Sequence, residues 1–330
     1  MKLKILFCGF RHGHISSLYS NVSASDFAEI AGCIEPNQRA RENAESNLGA
    51  RFSDKDLDWW LSTDIDVVAV GSAYGDRGDI IIKILSAGKH VIADKPICTD
   101  IHQLETIEIL CKKNHCKLVC MLDLRYLPQT AVALQVLQSG RLGQVRNVSF
   151  NGQHCIDYGN RPDWYFEQGM HGGTINDLAI HGVDLVRMLT GMEFVKTDAA
   201  RTWNAYAYKN PDFKDCALFM ARLSNGAGVL ADVSYSAPKQ AFSLPSYWEF
   251  RFWCDRGMLV FNYKDAAVTV FEEESGKPEV IICSSVESGY LQDLYREIVE
   301  DSFESTQNVI QSTKTTLLLQ QFADKEVSHG

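Results

Sequence analysis

Along the first third of the chain, short apolar runs alternate with stretches whose hydrophobic positions recur at helical spacing. The runs at 3–8, 28–34, 67–70, 90–93 and 117–122 are nearly continuous in apolar residues and predict strands buried on both faces. Between them, 37–48 is rich in Arg, Glu and Ala, and 79–87 stops at Gly88, as a helix does where a left-handed residue ends it. Strands separated by helices predict a parallel, doubly wound sheet with right-handed crossovers.

After Leu122 the texture changes. A helical stretch at 131–139 and a strand at 145–151 precede a glycine-rich entry into a helix over 172–189. Strand-like runs then follow to about Val270, clearest at 217–223, 228–235, 247–254 and 258–263, with Ser224-Asn225-Gly226 and Asp255-Arg256-Gly257 as turns. Residues 290–323 return to helix. The prediction is an α/β protein: a Rossmann-type domain over 1–122, and an α+β domain over 123–330 built on a large open, mostly antiparallel sheet. One face of such a sheet is left exposed, and oligomerisation through it is expected.

Composition narrows the partners. The 330 residues, 45% hydrophobic and 22% charged, suffice for two cores. Lys and Arg total 32 against 42 Asp and Glu, and the formal charge of -10 repels nucleic acid and anionic membrane surfaces. The apolar start lacks a cationic leader and no apolar stretch approaches the roughly 20 residues of a bilayer span, so a cytoplasmic protein is expected. Ten cysteines sit mostly in strand-like apolar runs, as reduced buried thiols do. Cys111, His115, Cys116 and Cys120 cluster without a Cys-x-x-Cys pair and across a helix end, which disfavours zinc.

The chemistry concentrates at four places. Gly9-Phe10-Arg11-His12-Gly13-His14 follows the first strand, where a dinucleotide-binding chain places Gly-x-Gly-x-x-Gly/Ala. Arg11 replaces the second glycine and either adds positive charge beside a diphosphate or obstructs the backbone's approach. His12 and His14 suggest a metal pair, but no third ligand is evident, so no metal is expected. Glu35 ends the second strand, where a carboxylate accepts hydrogen bonds from ribose hydroxyls and repels a 2′-phosphate; the alternative is an acid at the start of the next helix. NAD is expected, with NADP left open by Arg39 and Arg41.

Asp94-Lys95-Pro96 ends the fourth strand, putting Lys95 at the ligand-binding edge of an open α/β sheet, or making it an ordinary turn lysine. In Gly172-Gly173-Thr174-Ile175-Asn176-Asp177-Leu178-Ala179-Ile180-His181-Gly182-Val183-Asp184, Asp177 and His181 are one helical turn apart, with Asp184 extending the stripe. A carboxylate so placed orients an imidazole and raises its basicity, which suits His181 for taking a proton from a carbinol; a helix pair without chemistry has the same spacing. Tyr158, Arg161, Asp163, Trp164, Tyr165 and His171 precede this helix, either as stacking and hydrogen-bonding partners for a polyol ring or as a loop packed by its own aromatics.

Ala87-Gly88-Lys89-His90-Val91 leading to Asp94-Lys95-Pro96, the Gly-Gly…Asp-x-x-x-His-x-x-Asp segment and the two-domain layout together resemble the Gfo/Idh/MocA family, over nearly the whole length. The resemblance implies a catalytic lysine at Lys95, a substrate-orienting aspartate at Asp177 and a proton-transferring histidine at His181. It also implies cofactor contacts at Gly9, Phe10, Arg11, His12, Glu35, Ser72, Ala73, Asp94 and Lys95. Arg77 stands in the place of a family histidine, and Arg125 and Tyr126 resemble an Arg-aromatic segment near nicotinamide and substrate. Two departures stand out: the altered phosphate loop, and Asp-Lys-Pro in place of Glu-Lys-Pro.

The expected function is an NAD(P)-dependent dehydrogenase acting on a CH–OH group of a sugar, cyclitol or derivative, with Tyr126, Tyr158, Arg161 and Trp164 among its substrate contacts. The resemblance further implies a homodimer or homotetramer built through the second domain's sheet. A nucleotide-binding sensor without turnover, and a reductase or lyase with tightly held cofactor, are the alternatives.

Overall fold

The apolar run LKILFC forms β1 (Leu3–Cys8), buried along nearly its whole length. It pairs in parallel with β2 (Ala28–Ile34) on one side and, further along the chain, with β3 (Val67–Val70) on the other. The computed structural model describes residues 2–285 and 288–327. The helix α1 (His14–Ser23) leads into β2. Next, α2 (Gln38–Leu48) is capped by the Asn37 side chain accepting from the Ala40 N–H at 3.0 Å, and ends at Gly49 in the left-handed region. A short α3 (Leu57–Leu61) precedes β3.

The next helix, α4 (Tyr74–Ser86), begins five residues before the start at 79 expected from the sequence. Gly75, Asp76 and Gly78 read as loop, yet Tyr74 and Arg77 are wholly buried and hold this first turn in helix. A Cβ on Gly78 would lie 2.2 Å from the side-chain oxygen of Gln103, which packs over this glycine from α5 (Ile101–Lys113). With β4 (His90–Ala93) and β5 (Leu118–Cys120) the sheet order is β2-β1-β3-β4-β5, all parallel. Strand order reverses between β1 and β3, and ligands of open α/β sheets bind beyond the carboxyl ends at such a switch point.

The second sheet has eight strands in the order β13-β12-β11-β10-β6-β9-β8-β7. These are β6 (Val145–Gln153), β7 (Phe194–Trp203), β8 (Cys216–Leu223), β9 (Gly228–Ser234), β10 (Phe250–Cys254), β11 (Gly257–Phe261), β12 (Ala267–Glu272) and β13 (Glu279–Ile282). Only the β6–β9 pair is parallel. The helices α6 (Pro128–Gln138) and α7 (Ile180–Thr190) pack against this sheet. A Cβ on Gly182 would meet the Phe150 ring at 2.1 Å, so glycine permits the approach of α7 to β6. The opposite face carries Leu218, Met220, Leu230 and Trp253 at 44–51% exposure. The tail forms α8 (Tyr290–Glu300) and α9 (Glu304–Val327) rather than one helix, broken at Asp301, whose φ is 53°.

The chain divides into two compact units. One joins the residues up to Leu122 with Pro162–Gly172 and Ser288–Lys314. The other joins Asp123–Arg161, the stretch from Gly173 through β13, and the chain from Thr315 on. Among the described residues, no helix is long and apolar enough to cross a membrane.

Candidate active site

At the carboxyl edge of the parallel sheet, the loops leaving β1 and β3 lie back to back. Gly9 has φ +90°, and a Cβ there would fall 2.6 Å from the Ser72 amide nitrogen; one on Gly71 would fall 2.5 Å from the Gly9 carbonyl oxygen. The Arg11 N–H donates to the Gly71 carbonyl at 2.8 Å, closing the pair of loops. Beside them opens a cavity of about 420 Å³, lined among others by Gly9, Arg11, Glu35, Arg41, Ser72 and Ala73. The Glu35 carboxylate accepts the Phe10 N–H at 2.5 Å and the Asn37 N–H at 2.7 Å, while the Glu35 carbonyl accepts from the Arg41 guanidinium. Glu35 thereby holds the phosphate-loop candidate to the start of α2, close to the structural role that stood as its alternative in the sequence. Phe10 turns its ring against Tyr19 and Phe52, so its backbone rather than its side chain faces the loop's chemistry. The buried Ser72 hydroxyl has no hydrogen-bond partner among the described residues, although it lines the cavity. A polar group seated there satisfies it, and a glycine cradle, a carboxylate, a hydroxyl and two guanidinium groups suit a dinucleotide.

Asp94 ends β4 with no exposed surface and gathers several donors. His12 Nδ1 lies 2.7 Å and His14 Nδ1 2.9 Å from its two carboxylate oxygens, and the Lys95 N–H donates at 2.7 Å. Burial alone would raise the Asp94 carboxyl, yet the two imidazoles hold it well below the usual carboxylate range. Asp94 is the third group absent from the sequence-level view of the His12–His14 pair. Arg77 is wholly buried and donates to the carbonyls of Ser72, Asp94 and Pro96 at 2.6–2.9 Å, which ties together the ends of β3 and β4. Lys95 is buried, its ammonium 5.7 Å from the centroid of the Tyr74 ring. Tyr74 in turn packs on Trp164 and Tyr165, with ring centroids 4.9 and 5.5 Å away. Trp164, expected as a substrate contact, is thus a buried member of the first unit's aromatic cluster, while Tyr158 and Arg161 belong to the second unit.

In the second unit the glycine-rich segment enters a π-turn at Ile175–Ala179 before α7, where the sequence predicts one continuous α-helix. The Ile175 N–H donates to Gln320 Oε1 at 3.0 Å, the Thr316 hydroxyl donates to Asn176 at 3.0 Å, and Gly173 leaves no room for a Cβ beside Gln320. These contacts set a wider turn, a form frequent at functional sites. Asp177 is fully buried, and its carboxylate accepts the hydroxyl of Tyr235. Tyr235 is itself fixed by its N–H to the Asp215 carbonyl and by the Arg161 guanidinium 5.0 Å from its ring centroid. Arg161 also donates to the carbonyls of Cys155 and Ile156. His181 meets the Trp248 ring edge-on at 5.4 Å. Asp184, expected to extend the catalytic stripe, is paired in bidentate fashion with Arg125, itself expected beside the cofactor. Tyr126 closes the short turn Asp123–Tyr126, and the Tyr158 hydroxyl accepts the Lys209 N–H at 3.2 Å.

Residues 3–122 match the family model for an oxidoreductase family with an NAD-binding Rossmann fold, and residues 130–260 match the model for the GFO/IDH/MocA C-terminal domain, together well over half of the chain. The chain belongs to the Gfo/Idh/MocA family of oxidoreductases. Levoglucosan dehydrogenase of Pseudarthrobacter phenanthrenivorans is 26% identical over 258 residues, covering 70% of this chain and 64% of that one. Inositol 2-dehydrogenase 2 of Saccharopolyspora erythraea is 27% identical over 235 residues, covering 71% and 66%. Each match therefore spans just under two thirds of the relative. A solved levoglucosan dehydrogenase in complex with NADH and levoglucosan superposes with a TM-score of 0.83 at 19% identity, over 99% of this chain and 98% of that one. An aldose-aldose oxidoreductase from Caulobacter crescentus complexed with glycerol gives 0.79 at 18%, over 99% and 98%. The Gfo/Idh/MocA fold is common to all three chains.

Two residues of this Gfo/Idh/MocA protein escaped the sequence reading. Tyr235 ends the run predicted as a strand at 228–235, but its bond to Asp177 joins positions 58 apart. Trp248 sits within the run predicted at 247–254, yet it precedes β10 with φ 48° and covers Gly152.

Proposed function

We propose that the protein is an NAD-dependent dehydrogenase acting reversibly on a CH–OH group of a sugar, cyclitol or sugar derivative. The first unit takes the cofactor and the second the substrate. Bound NAD supplies the hydride acceptor. The His181 ring nitrogen takes the carbinol proton, Asp177 orients the substrate, and the Lys95 ammonium stabilises alkoxide character as the hydride leaves. The observation that carries the reading is the holding of Asp177: a fully buried carboxylate in a widened helical turn, gripped by Tyr235 and placed one turn before His181. Buried ionisable groups of this kind concentrate at functional sites.

Each Glu35 oxygen keeps a lone pair for a ribose hydroxyl beside the backbone bond it already accepts, and its charge disfavours a 2′-phosphate, so NAD is favoured over NADP. The names of the two dehydrogenase relatives support a polyhydroxylated substrate. The exposed apolar face of the second sheet supports a homodimer or homotetramer. Buried thiols such as Cys8 and Cys33, pushed by burial to about 12, fit the reducing cytoplasm.

Purified protein incubated with NAD or NADP and a panel of inositols, anhydrosugars and aldoses tests the reading through the near-ultraviolet absorbance of the reduced cofactor. Turnover with NAD is expected. Lys95→Ala and His181→Ala should each lower kcat by about 10²-fold or more while circular dichroism stays native. Cofactor binding without turnover on any member of the panel favours a sensor on the same fold.

A further inference from the structure

We propose that His12, His14 and Asp94 form a binding site for one divalent transition-metal ion of the zinc class. The site shares His12 and Asp94 with the expected cofactor contacts, and the ion takes no part in hydride transfer.

Two imidazoles from the loop after β1 and one carboxylate from the end of β4 converge there. Their nitrogen and oxygen atoms all lie within 4.8 Å of one another. Ligand atoms about 2.1 Å from a tetrahedral zinc ion lie about 3.4 Å apart, so the widest pair has to close by about 1.4 Å, within reach of side-chain rotation in the two histidines. Both histidines direct the same atom, Nδ1, at the carboxylate, and their rings stand perpendicular at 88° with centroids 4.7 Å apart, so the two nitrogens approach different oxygens. The carboxylate has no exposed surface, whereas the His12 and His14 side chains are 17% and 29% exposed, which leaves an entry route and a fourth position for water. Two imidazoles and a carboxylate with water in the fourth position form a common donor set for zinc.

The charge environment moderates the affinity without forbidding it. The Arg77 guanidinium approaches the carboxylate to 3.9 Å, but its hydrogen bonds go to main-chain carbonyls. The Lys95 N–H occupies one carboxylate oxygen as a neutral donor. When each ring gives Nδ1 to the ion, the one proton it keeps sits on Nε2. The cysteine-rich segment does not compete in the same way, because His115 is turned to Asp301 at 2.6 Å.

Full-length, chelator-treated protein is titrated with Co²⁺ as a spectroscopic probe, then with Zn²⁺ as competitor. One equivalent should give the intense visible bands of four-coordinate cobalt without thiolate charge transfer, and zinc should abolish them. The double variant H12Q/H14Q, which keeps polar groups facing Asp94, should lose the bands and weaken binding by at least about tenfold. Nitrogen-15 spectra of the unmodified protein provide a readout that needs no variant: zinc should shift Nδ1 of His12 and His14 and place their protons on Nε2. Bands that persist in the double variant, absence of a four-coordinate spectrum, or Nδ1 signals unmoved by excess zinc would each overturn the proposal.

Discussion

Replacing Gly9 by alanine tests the geometry of the phosphate loop. The residue has φ +90°, and the added Cβ would lie 2.6 Å from the Ser72 nitrogen and 2.9 Å from its Cα. Both are main-chain atoms, so relief requires one loop to move away from the other. Left-handed backbone in a non-glycine residue costs about 1–2 kcal/mol, and forced overpacking about 1–3 more. Gly9→Ala should therefore lose about 2–5 kcal/mol of stability. NAD affinity should fall by about tenfold or more, because the loop carrying the Arg11 N–H is displaced from Gly71. Gly13→Ala is the control: it adds the same methyl a few residues on, where φ is -67° and nothing lies within 4 Å. Urea unfolding and calorimetric NAD titration of both variants decide the matter. Equal losses in the two, or an unperturbed Gly9→Ala protein, would refute the reasoning.

Tyr235→Phe removes the hydroxyl that grips buried Asp177 and should cost about 1.5–3 kcal/mol in urea unfolding, together with a fall in kcat. His90 accepts the Lys117 N–H at 2.9 Å, and burial first, then the Lys117 charge, lower its pKa from 6.5 to about 4. Since the unfolded chain binds more protons at this residue across that window, its contribution, present at pH 7, should drain away as pH falls from 6.5 to 4. The loss is about 3 kcal/mol, and His90→Gln should flatten that part of the stability profile. Met220→Lys, on the exposed sheet face beside Leu230, should shift the protein to monomer in light scattering if this face makes the oligomer.

The parallel sheet was the most legible part of the chain, and for a physical reason. Strands covered on both faces are apolar nearly throughout, so β1, β3 and β4 stand out with their observed bounds; the edge strand β2 does so despite its exposed Glu29, and β5 is only trimmed at its ends. The outer strands of the second sheet are less readable: β7 exposes half of its residues and β13 most, and the polar run through Lys196, Thr197 and Asp198 hides a strand. The π-turn at Asp177 leaves no mark in the residue pattern, because its register comes from Gln320 and Thr316 far along the chain. The same holds for the meeting of His12 and His14 with Asp94, 82 and 80 positions away, and for the assignment of Pro162–Gly172 to the first unit. Spacing and resemblance single out Lys95, Asp177 and His181 as candidates, but the contacts that hold each of them come from elsewhere in the chain and leave no local mark.

Isotope transfer addresses the dehydrogenase reading most directly. A cyclitol or sugar that supports turnover is supplied with deuterium on the carbinol carbon, and the reduced cofactor is analysed by mass spectrometry and proton NMR. The account predicts one deuterium at nicotinamide C4, no label in solvent, and loss of the transfer in Lys95→Ala and His181→Ala. Reduced cofactor without the label, or label transfer undiminished in both variants, would contradict it.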